Sequence, residues 1–335
     1  MNVGVIGAGR IGKVHAENLA LRIQETNVVA IADVMLAAAQ ETGTRLNIPQ
    51  VTADYHDLLN SSEIEAVVIC SATDTHTQII IEAAQAGKHI FCEKPIDLNL
   101  KRIDEALAAV DAAGMKLQIG FNRRFDPNFR RIRQAVEQGE IGTPFRLHLI
   151  SRDPAPPPIS YIKVSGGIFV DMTIHDFDMA RYLIGSDVEE VYTVAAVMVD
   201  PAIGEAGDVD TAVIVLKFAN GVIGTIDNCR KSGYGYDQRA EVFGSGGSAA
   251  ISNNYANNAV ISTQESIHRD LPLHFFVERY TESYVAEMRA FVDAVLHDKP
   301  VPVTGEDGRA PVVIGLAARK SYDENRPVRL AEITA

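Results

Sequence analysis

The sequence predicts an α/β protein whose two parts carry different kinds of β-sheet. Up to about residue 120, short apolar strands alternate with helices, which is the pattern of βαβ units around a parallel sheet. Further along, strands follow one another through connections that are too short for crossovers, so their sheet should be mostly antiparallel. We therefore expect a parallel α/β domain at 1–120 and an α+β domain with a large, mostly antiparallel open sheet at 121–335.

The elements of the first domain are predicted from apolar runs of strand length and from amphipathic runs of helix length. Strands are expected at NVGVIG, VVAIADV, EAVVIC, KHIFCE and KLQIGF. Helices are expected over residues 10–24 and in TQIIIEAAQAG and KRIDEALAAVDAAG. Each helix is long enough to join two parallel strands, as a βαβ unit requires.

The second domain is predicted to begin with a helix at 127–138. A strand in PFRLHLISRD and an extended, proline-rich loop, DPAPPPISYI, follow it. One helix is then expected over GGIFVDMTIHDFDMARYLIG, residues 166–185, because apolar residues recur there at helical spacing. Asp176 and Asp178 in this stretch are expected to face solvent or to cap the helix.

The remainder of the second domain is predicted to be rich in strands. They are expected in EEVYTVAAVMV, TAVIVLKFANGVIGTIDNC, RAEVFGSGGSAAIS and NAVIST. Asn220-Gly221 and GSGGS at 244–248 predict tight turns between paired strands. Helices are expected near 281–297 and 306–323, at the end of the chain. Packing of the C-terminal helix back on the first domain is left open.

The charge balance argues against nucleic acid or an anionic membrane as a partner. The 335 residues carry a net charge of −13, whereas such partners need a basic face. No apolar run reaches the length of a membrane span, and a strand starts almost at Met1, so we expect neither a membrane anchor nor a signal peptide. Cys70, Cys92 and Cys229 form no C-x-x-C pair, and buried thiols in a reducing cytoplasm explain them.

The segment GAGRIG at 7–12 has the form G-x-G-x-x-G between a predicted strand and a predicted helix. In that context Gly7 permits the tight turn, Gly9 lets the backbone approach a pyrophosphate, and Gly12 allows close packing. The helix N-terminus, which includes Arg10 and Ile11, offers N–H groups to the phosphates. The first domain is therefore predicted to be a Rossmann dinucleotide-binding domain.

Asp33 ends the second predicted strand, where an acid binds the adenosine ribose hydroxyls of a dinucleotide. Val34 and Met35 follow it, so a 2′-phosphate would meet a carboxylate with no adjacent cation. This predicts NAD rather than NADP as the cofactor, with Asp33 and Val34 at its ribose. The alternative is that Asp33 is only an acid that starts a loop.

Further motifs extend over the whole chain. They are SATDTH at 71–76, FCEKP at 91–95, GFNRRFD at 120–126 and DMTIH at 171–175. Together with the glycine motif and Asp33, they resemble the glucose–fructose oxidoreductase / inositol dehydrogenase / MocA family. The segments NCRKSGYGYDQRAEVFGSGG and GFNRRFDPNF are most similar to the family's inositol 2-dehydrogenases, which oxidise myo-inositol to 2-keto-myo-inositol (scyllo-inosose).

The resemblance implies roles for individual residues. It places the residues Ser71, Ala72, Thr73, His76, Glu93, Lys94 and Arg123 at the cofactor. It places the residues Lys94, Arg123, Asp153, Asp171, His175 and Tyr236 at a cyclitol or sugar substrate. It also implies a cis bond at Glu93-Lys94 or Lys94-Pro95 and assembly into a homotetramer through the open sheet.

Asp171 and His175 suggest how the hydroxyl proton is removed during hydride transfer. An imidazole accepts a proton near neutral pH, and a carboxylate can fix its tautomer. We assign His175 as the base, Asp171 as its orienting partner, and Lys94 as the cation that stabilises the alkoxide. Whether Lys94 or His175 takes the proton first stays open. The alternatives are a capped helix with a core histidine and, for Lys94, a solvated surface lysine.

Three function classes follow from these residues. The first is an NAD-dependent dehydrogenase of myo-inositol, or of another cyclitol or sugar. The second is a family relative that uses NAD transiently to cleave glycosides. The third is a non-catalytic dinucleotide sensor, which the presence of Lys94, Asp171 and His175 disfavours. No metal is expected, because neither H-E-x-x-H nor a cysteine pair accompanies these acids.

Overall fold

A computed structural model describes residues 1–334 and divides the chain into two compact units. The first unit consists of Met1–Phe125 and Glu282–Ala310, and the second consists of Asp126–Thr281 and the residues from Pro311 onward. Across residues 1–334, no helix combines the length and the apolarity that crossing a membrane requires.

The first unit begins with alternating strands and helices, as the sequence predicts. They are β1 (Asn2–Ile6), α1 (Arg10–Leu21), β2 (Asn27–Ala32), α2 (Leu36–Leu46), β3 (Gln50–Thr52), α3 (His56–Leu59), β4 (Ala66–Ile69), α4 (Thr73–Gln85), β5 (His89–Glu93), α5 (Leu100–Ala113) and β6 (Leu117–Gly120). The sheet order is β3-β2-β1-β4-β5-β6, and neighbouring strands pair in parallel. This is a Rossmann sheet, which confirms the predicted fold of this part.

The rest of the chain contains both helices and strands, and several strands follow one another without a helix between them. Its elements are α6 (Pro127–Glu137), β7 (Pro144–Arg152), α7 (Ile159–Ile162), α8 (Gly167–Asp171), α9 (Ile174–Ile184), β8 (Val188–Ala196), α10 (Pro201–Glu205), β9 (Thr211–Phe218), β10 (Ile223–Cys229), β11 (Asp237–Gly244), β12 (Gly247–Ile251), β13 (Val260–Ser262), β14 (Ile267–Arg269), α11 (Phe276–Arg279), α12 (Thr281–Leu296), α13 (Gly305–Glu324), β15 (Val328–Arg329) and α14 (Ala331–Thr334).

The large sheet of the second unit has the order β12-β11-β7-β10-β9-β8-β15. Its neighbours pair antiparallel except β7 and β10, which run parallel. A mostly antiparallel open sheet was predicted and is confirmed. The predicted hairpin at Asn220-Gly221 joins β9 to β10, and Gly221 has the left-handed φ of 86° that such a turn needs.

The core of the first unit includes side chains from distant parts of the chain. Val5 of β1, Val68 of β4 and Phe91 of β5 are fully buried in one apolar cluster. Met288 and Phe291 of α12 belong to the same cluster. Residues near 282–310 therefore complete the hydrophobic core that the N-terminal strands begin.

The prediction of a single helix over 166–185 is wrong, because the structure contains two helices there, α8 and α9. Gly166 and Gly167 have left-handed φ values of 86° and 74°, which delay the start of α8. At the break, the Thr173 hydroxyl donates to the side chain of Asn228 over 2.6 Å. Asp171 therefore ends one helix and His175 lies in the first turn of the next, so the two residues do not belong to the same helix.

The prediction that Asp176 and Asp178 face solvent or cap a helix is also wrong. Both side chains are buried in α9. Asp176 accepts a hydrogen bond of 2.9 Å from the side-chain amide of Asn228 in β10. The polar partner lies 52 positions away along the chain, so the local pattern contains no sign of it.

Candidate active site

The glycine turn is shaped by contacts inside the first unit. Gly7 has a φ of 101°, and a Cβ on it would lie 2.6 Å from the carbonyl carbon of Cys70. A Cβ on Gly12 would collide with the Gly7 carbonyl oxygen, whereas one on Gly9 would meet no described atom within 4 Å. Gly7 and Gly12 are therefore required by the turn itself, and the open surface at Gly9 fits a pyrophosphate at the start of α1.

Asp33 lies beside this turn, where β2 ends. Its Oδ2 accepts a hydrogen bond of 2.6 Å from the Ala8 amide, and its Oδ1 accepts one of 2.7 Å from the Met35 amide. Both bonds fix the carboxylate next to the glycine turn. This geometry suits an adenosine ribose, and the neighbouring Val34 side chain is uncharged and exposed.

The segment after β4 carries the next residues that are predicted to contact the cofactor. Ser71 and Thr75 hydroxyls lie 2.7 Å apart, and α4 begins at Thr73. His76 is buried, with Nδ1 2.8 Å from the Pro95 carbonyl oxygen and Nε2 3.1 Å from the Ser71 carbonyl oxygen. Burial lowers the pKa of His76, although the two carbonyls favour the charged form.

Glu93 ends β5 and is buried, while Lys94 is partly exposed. Glu93 Oε1 lies 2.7 Å from Nε2 of His15, a fully buried residue of α1. The Lys94–Pro95 peptide bond is cis, as one of the two predicted alternatives requires. The turn that carries Lys94 is thus attached through Glu93 to the helix that follows the glycine motif.

Asp171, in the second unit, is anchored by two residues that the sequence analysis missed. The Tyr161 hydroxyl donates to Oδ1 over 2.9 Å, and Nη1 of Arg230 donates to Oδ2 over 3.1 Å. Arg230 is almost completely buried and also faces Asp208 over 3.5 Å. Arg230 lies inside the segment 228–247, which carries the resemblance to inositol dehydrogenases. That resemblance is the sequence signal from which a role for Arg230 could have been predicted.

The parallel pairing of β7 and β10 brings Asp153 towards the same region. Cys229 lies opposite Arg152 in this pair, so Asp153 and Arg230 follow at the same edge of the sheet. The Asp153 amide donates to the Cys229 carbonyl oxygen over 3.0 Å. One sheet edge therefore carries Asp153 and the arginine that holds Asp171.

The remaining predicted residues occupy defined places. Tyr236 is buried, with its ring edge-on to Tyr280 at a centroid distance of 6.0 Å. His175 is partly exposed in the first turn of α9. Arg123 is buried in the 3-10 turn Asn122–Phe125 of the first unit. Their contacts with a substrate stay predictions.

Two family models match the chain. The model described as an oxidoreductase family with an NAD-binding Rossmann fold matches residues 1–121. The model for the GFO/IDH/MocA C-terminal domain matches residues 129–250. The two matches correspond to the parallel sheet and to most of the antiparallel sheet.

Similar proteins cover nearly the whole chain. A protein named myo-inositol 2-dehydrogenase from Thermotoga maritima is 48% identical over 333 residues, with 99% of each chain covered. An inositol 2-dehydrogenase from Rhizobium meliloti is 45% identical over 329 residues, with 98% of each chain covered. The solved structure of a scyllo-inositol dehydrogenase from Lactobacillus casei with NAD(H) and scyllo-inositol is 31% identical, has a TM-score of 0.93 and covers 99% of both chains.

Proposed function

Because the chain belongs to the GFO/IDH/MocA family of NAD-dependent oxidoreductases, we propose that it oxidises myo-inositol to 2-keto-myo-inositol. End-to-end similarity to proteins named inositol 2-dehydrogenases carries the choice of substrate. The glycine turn and Asp33 support NAD as the hydride acceptor. The reaction converts one CH–OH group into a ketone, with a hydride leaving the carbon and a proton leaving the oxygen.

NAD⁺, when bound, accepts the hydride from the alcohol carbon. His175 is proposed to take the hydroxyl proton, because an imidazole is a suitable base near neutral pH. Lys94 is proposed to stabilise the oxygen as negative charge develops on it, and the order of proton transfer between Lys94 and His175 stays open. The ketone oxygen forms as the proton leaves.

Asp171 is proposed to orient the His175 imidazole. Its two carboxylate oxygens accept hydrogen bonds from Tyr161 and Arg230, which supports a fixed position for the carboxylate. A fixed carboxylate can select one tautomer of a neighbouring imidazole and stabilise its charged form. Tyr161 and Arg230 thereby act through Asp171 rather than on the substrate.

Arg123, Asp153 and Tyr236 are proposed to bind ring hydroxyls of the cyclitol. Polar groups that bind substrate hydroxyls discriminate strongly, because a substrate that lacks a hydroxyl leaves its partner unpaired. Deoxy-inositols should therefore be poor substrates. The myo and scyllo isomers give the same ketone, so both belong in the test.

We propose that the protein forms a cytoplasmic homotetramer through the outer face of its large sheet. This face carries large apolar side chains that are at least two-fifths exposed, namely Phe145, Val194, Val213, Val215, Ile223 and Phe243. An apolar patch of this kind is typical of an interface between subunits. Val215→Asp should reduce the mass measured by light scattering, whereas Leu21→Asp, at an exposed apolar side chain of α1, is the matched control.

The activity is tested by following NADH absorbance with NAD⁺ and a panel of inositols, aldoses and glycosides. Net NADH formation with myo-inositol is expected. A glycoside hydrolase of the same family would release sugar without net NADH, because it recycles its cofactor. Turnover of simple apolar alcohols, with none on any cyclitol or sugar, would contradict the proposal.

A further inference from the structure

Two buried histidines hold the turn that carries Lys94, one on each side of it. Nε2 of His15 contacts the side chain of Glu93, the residue before Lys94, over 2.7 Å. Nδ1 of His76 contacts the backbone oxygen of Pro95, the residue after Lys94, over 2.8 Å. Both imidazoles are at most 2% exposed, so solvent does not compete for these bonds.

The His15 ring has little freedom to leave Glu93. It packs edge-on against Phe91 and Tyr284, at centroid distances of 5.1 Å and 5.7 Å. Among the described residues, Nδ1 of His15 has no hydrogen-bond partner, so the favourable neutral tautomer carries its proton on Nε2 and donates it to Glu93. The orientation of the Glu93 carboxylate is therefore determined from α1.

Glu287 of α12 lies next to this pair, with Oε1 4.0 Å from Nε2 of His15. Burial and the nearby Glu93 carboxylate raise the pKa of Glu287 well above its ordinary value. The 2.7 Å between the His15 and Glu93 atoms is the distance of a direct hydrogen bond, and this contact is the closest in the cluster.

His76 connects the other side of the turn to the segment after β4. Of its two contacts with backbone oxygens, the shorter is the one between Nδ1 and the Pro95 oxygen. The second nitrogen lies 3.1 Å from the Ser71 oxygen, at the loop predicted to face the cofactor. His76 thus contacts backbone on both sides of its ring.

We propose that His15 and His76 are positioning residues that fix Lys94 relative to the NAD-binding turns, acting through Glu93 and Pro95. This inference rests on the proposed role of Lys94. It assigns a function to His15, which lies in none of the sequence motifs described above. It also means that His76 acts through backbone contacts rather than by direct contact with the cofactor. Misplacement of a reacting group by about 1 Å typically lowers turnover by about 100-fold.

The test compares kcat with NADH affinity in variants at both positions. His15→Ala and His76→Ala should lower kcat by about 10- to 100-fold, while the Kd for NADH, measured by fluorescence, changes by less than about threefold. His15→Gln and His76→Asn retain an N–H at the required position and should recover much of the lost kcat. His56→Ala, at an exposed histidine of the same unit, is the control.

Gly120→Ala provides an independent perturbation that leaves both histidines in place. A Cβ there would lie 3.1 Å from both Glu93 carboxylate oxygens, so the side chain of Glu93 must shift. Reduced kcat at unchanged NADH affinity is expected. This test still applies if the alanine variants at the two histidines fail to fold. Parental kcat in Gly120→Ala, or in folded His15→Ala and His76→Ala, would overturn the proposal.

A measurement that needs no substrate separates this inference from the proposed activity. Lysines carrying isotope-labelled methyl groups give NMR signals, and Lys94→Arg identifies the signal of Lys94. That signal should move in the His15, His76 and Gly120 variants but stay in place in His56→Ala. An unmoved signal would overturn the positioning role even if the parent protein oxidises a polyol other than myo-inositol.

Discussion

Arg230→Met tests how the carboxylate of Asp171 is held. The guanidinium of Arg230 lies 3.1 Å from Asp171 and 3.5 Å from Asp208, and its side chain is 1% exposed. Methionine retains much of the length and the apolar stem but removes the charge. The two carboxylates would then remain in the second unit without the cation that lies between them.

The expected cost follows from this burial. Removing one partner of a buried ion pair costs about 3–5 kcal/mol, because the remaining charge stays out of water. The Asp171 and Asp208 side chains are 13% and 5% exposed, so solvent screens them little. In domains of roughly 150–250 residues, 1 kcal/mol lowers Tm by about 2–4 °C, so the second unit should melt about 6–20 °C lower.

Calorimetry measures this shift, and NADH formation measures the loss of kcat that should follow when Asp171 is no longer anchored by Arg230. Adding Asp208→Asn should recover part of the stability, because one uncompensated charge is removed. Arg131→Met is the control, since this arginine of α6 is more than half-exposed and an exposed ion pair contributes at most about 1 kcal/mol. An Arg230→Met protein with parental Tm and kcat would refute the reasoning.

Three further outcomes are expected. His175→Ala should lower kcat by about 10²–10⁴-fold at unchanged NADH affinity, and a folded variant with parental kcat and pH profile would make it an ordinary helix residue. Asp33→Ser combined with Val34→Arg should move the preference in kcat/KM towards NADP⁺. Equal kcat/KM with both cofactors in the parent would contradict the role of Asp33. In the parent, stability should fall as pH rises above the ordinary carboxyl pKa of 4.5, because the Glu287 carboxyl retains its proton in the folded state alone. Glu287→Gln should remove this loss of stability. Denaturation midpoints across pH measure it, and equal pH dependence in both proteins would contradict a neutral Glu287.

Local sequence determined the parts of the protein whose physical requirements lie within one turn of chain. The strand-to-helix context of Gly7, Gly9 and Gly12 predicts the turn, since Gly7 takes a left-handed φ and a Cβ on Gly12 would meet the Gly7 carbonyl oxygen. The Asn220-Gly221 hairpin follows from the backbone preferences of two residues. Periods of two and of about 3.6 residues likewise predict strands and helices, because each repeats along its own element.

Tertiary structure alone decided which polar groups meet inside the protein. His15 reaches Glu93 across 78 positions, and Arg230 reaches Asp171 across 59. At the break between α8 and α9, Thr173 bonds to Asn228, 55 positions away. Such pairs are determined by strand order and by the register between strands, and no local pattern of apolar and polar residues records either.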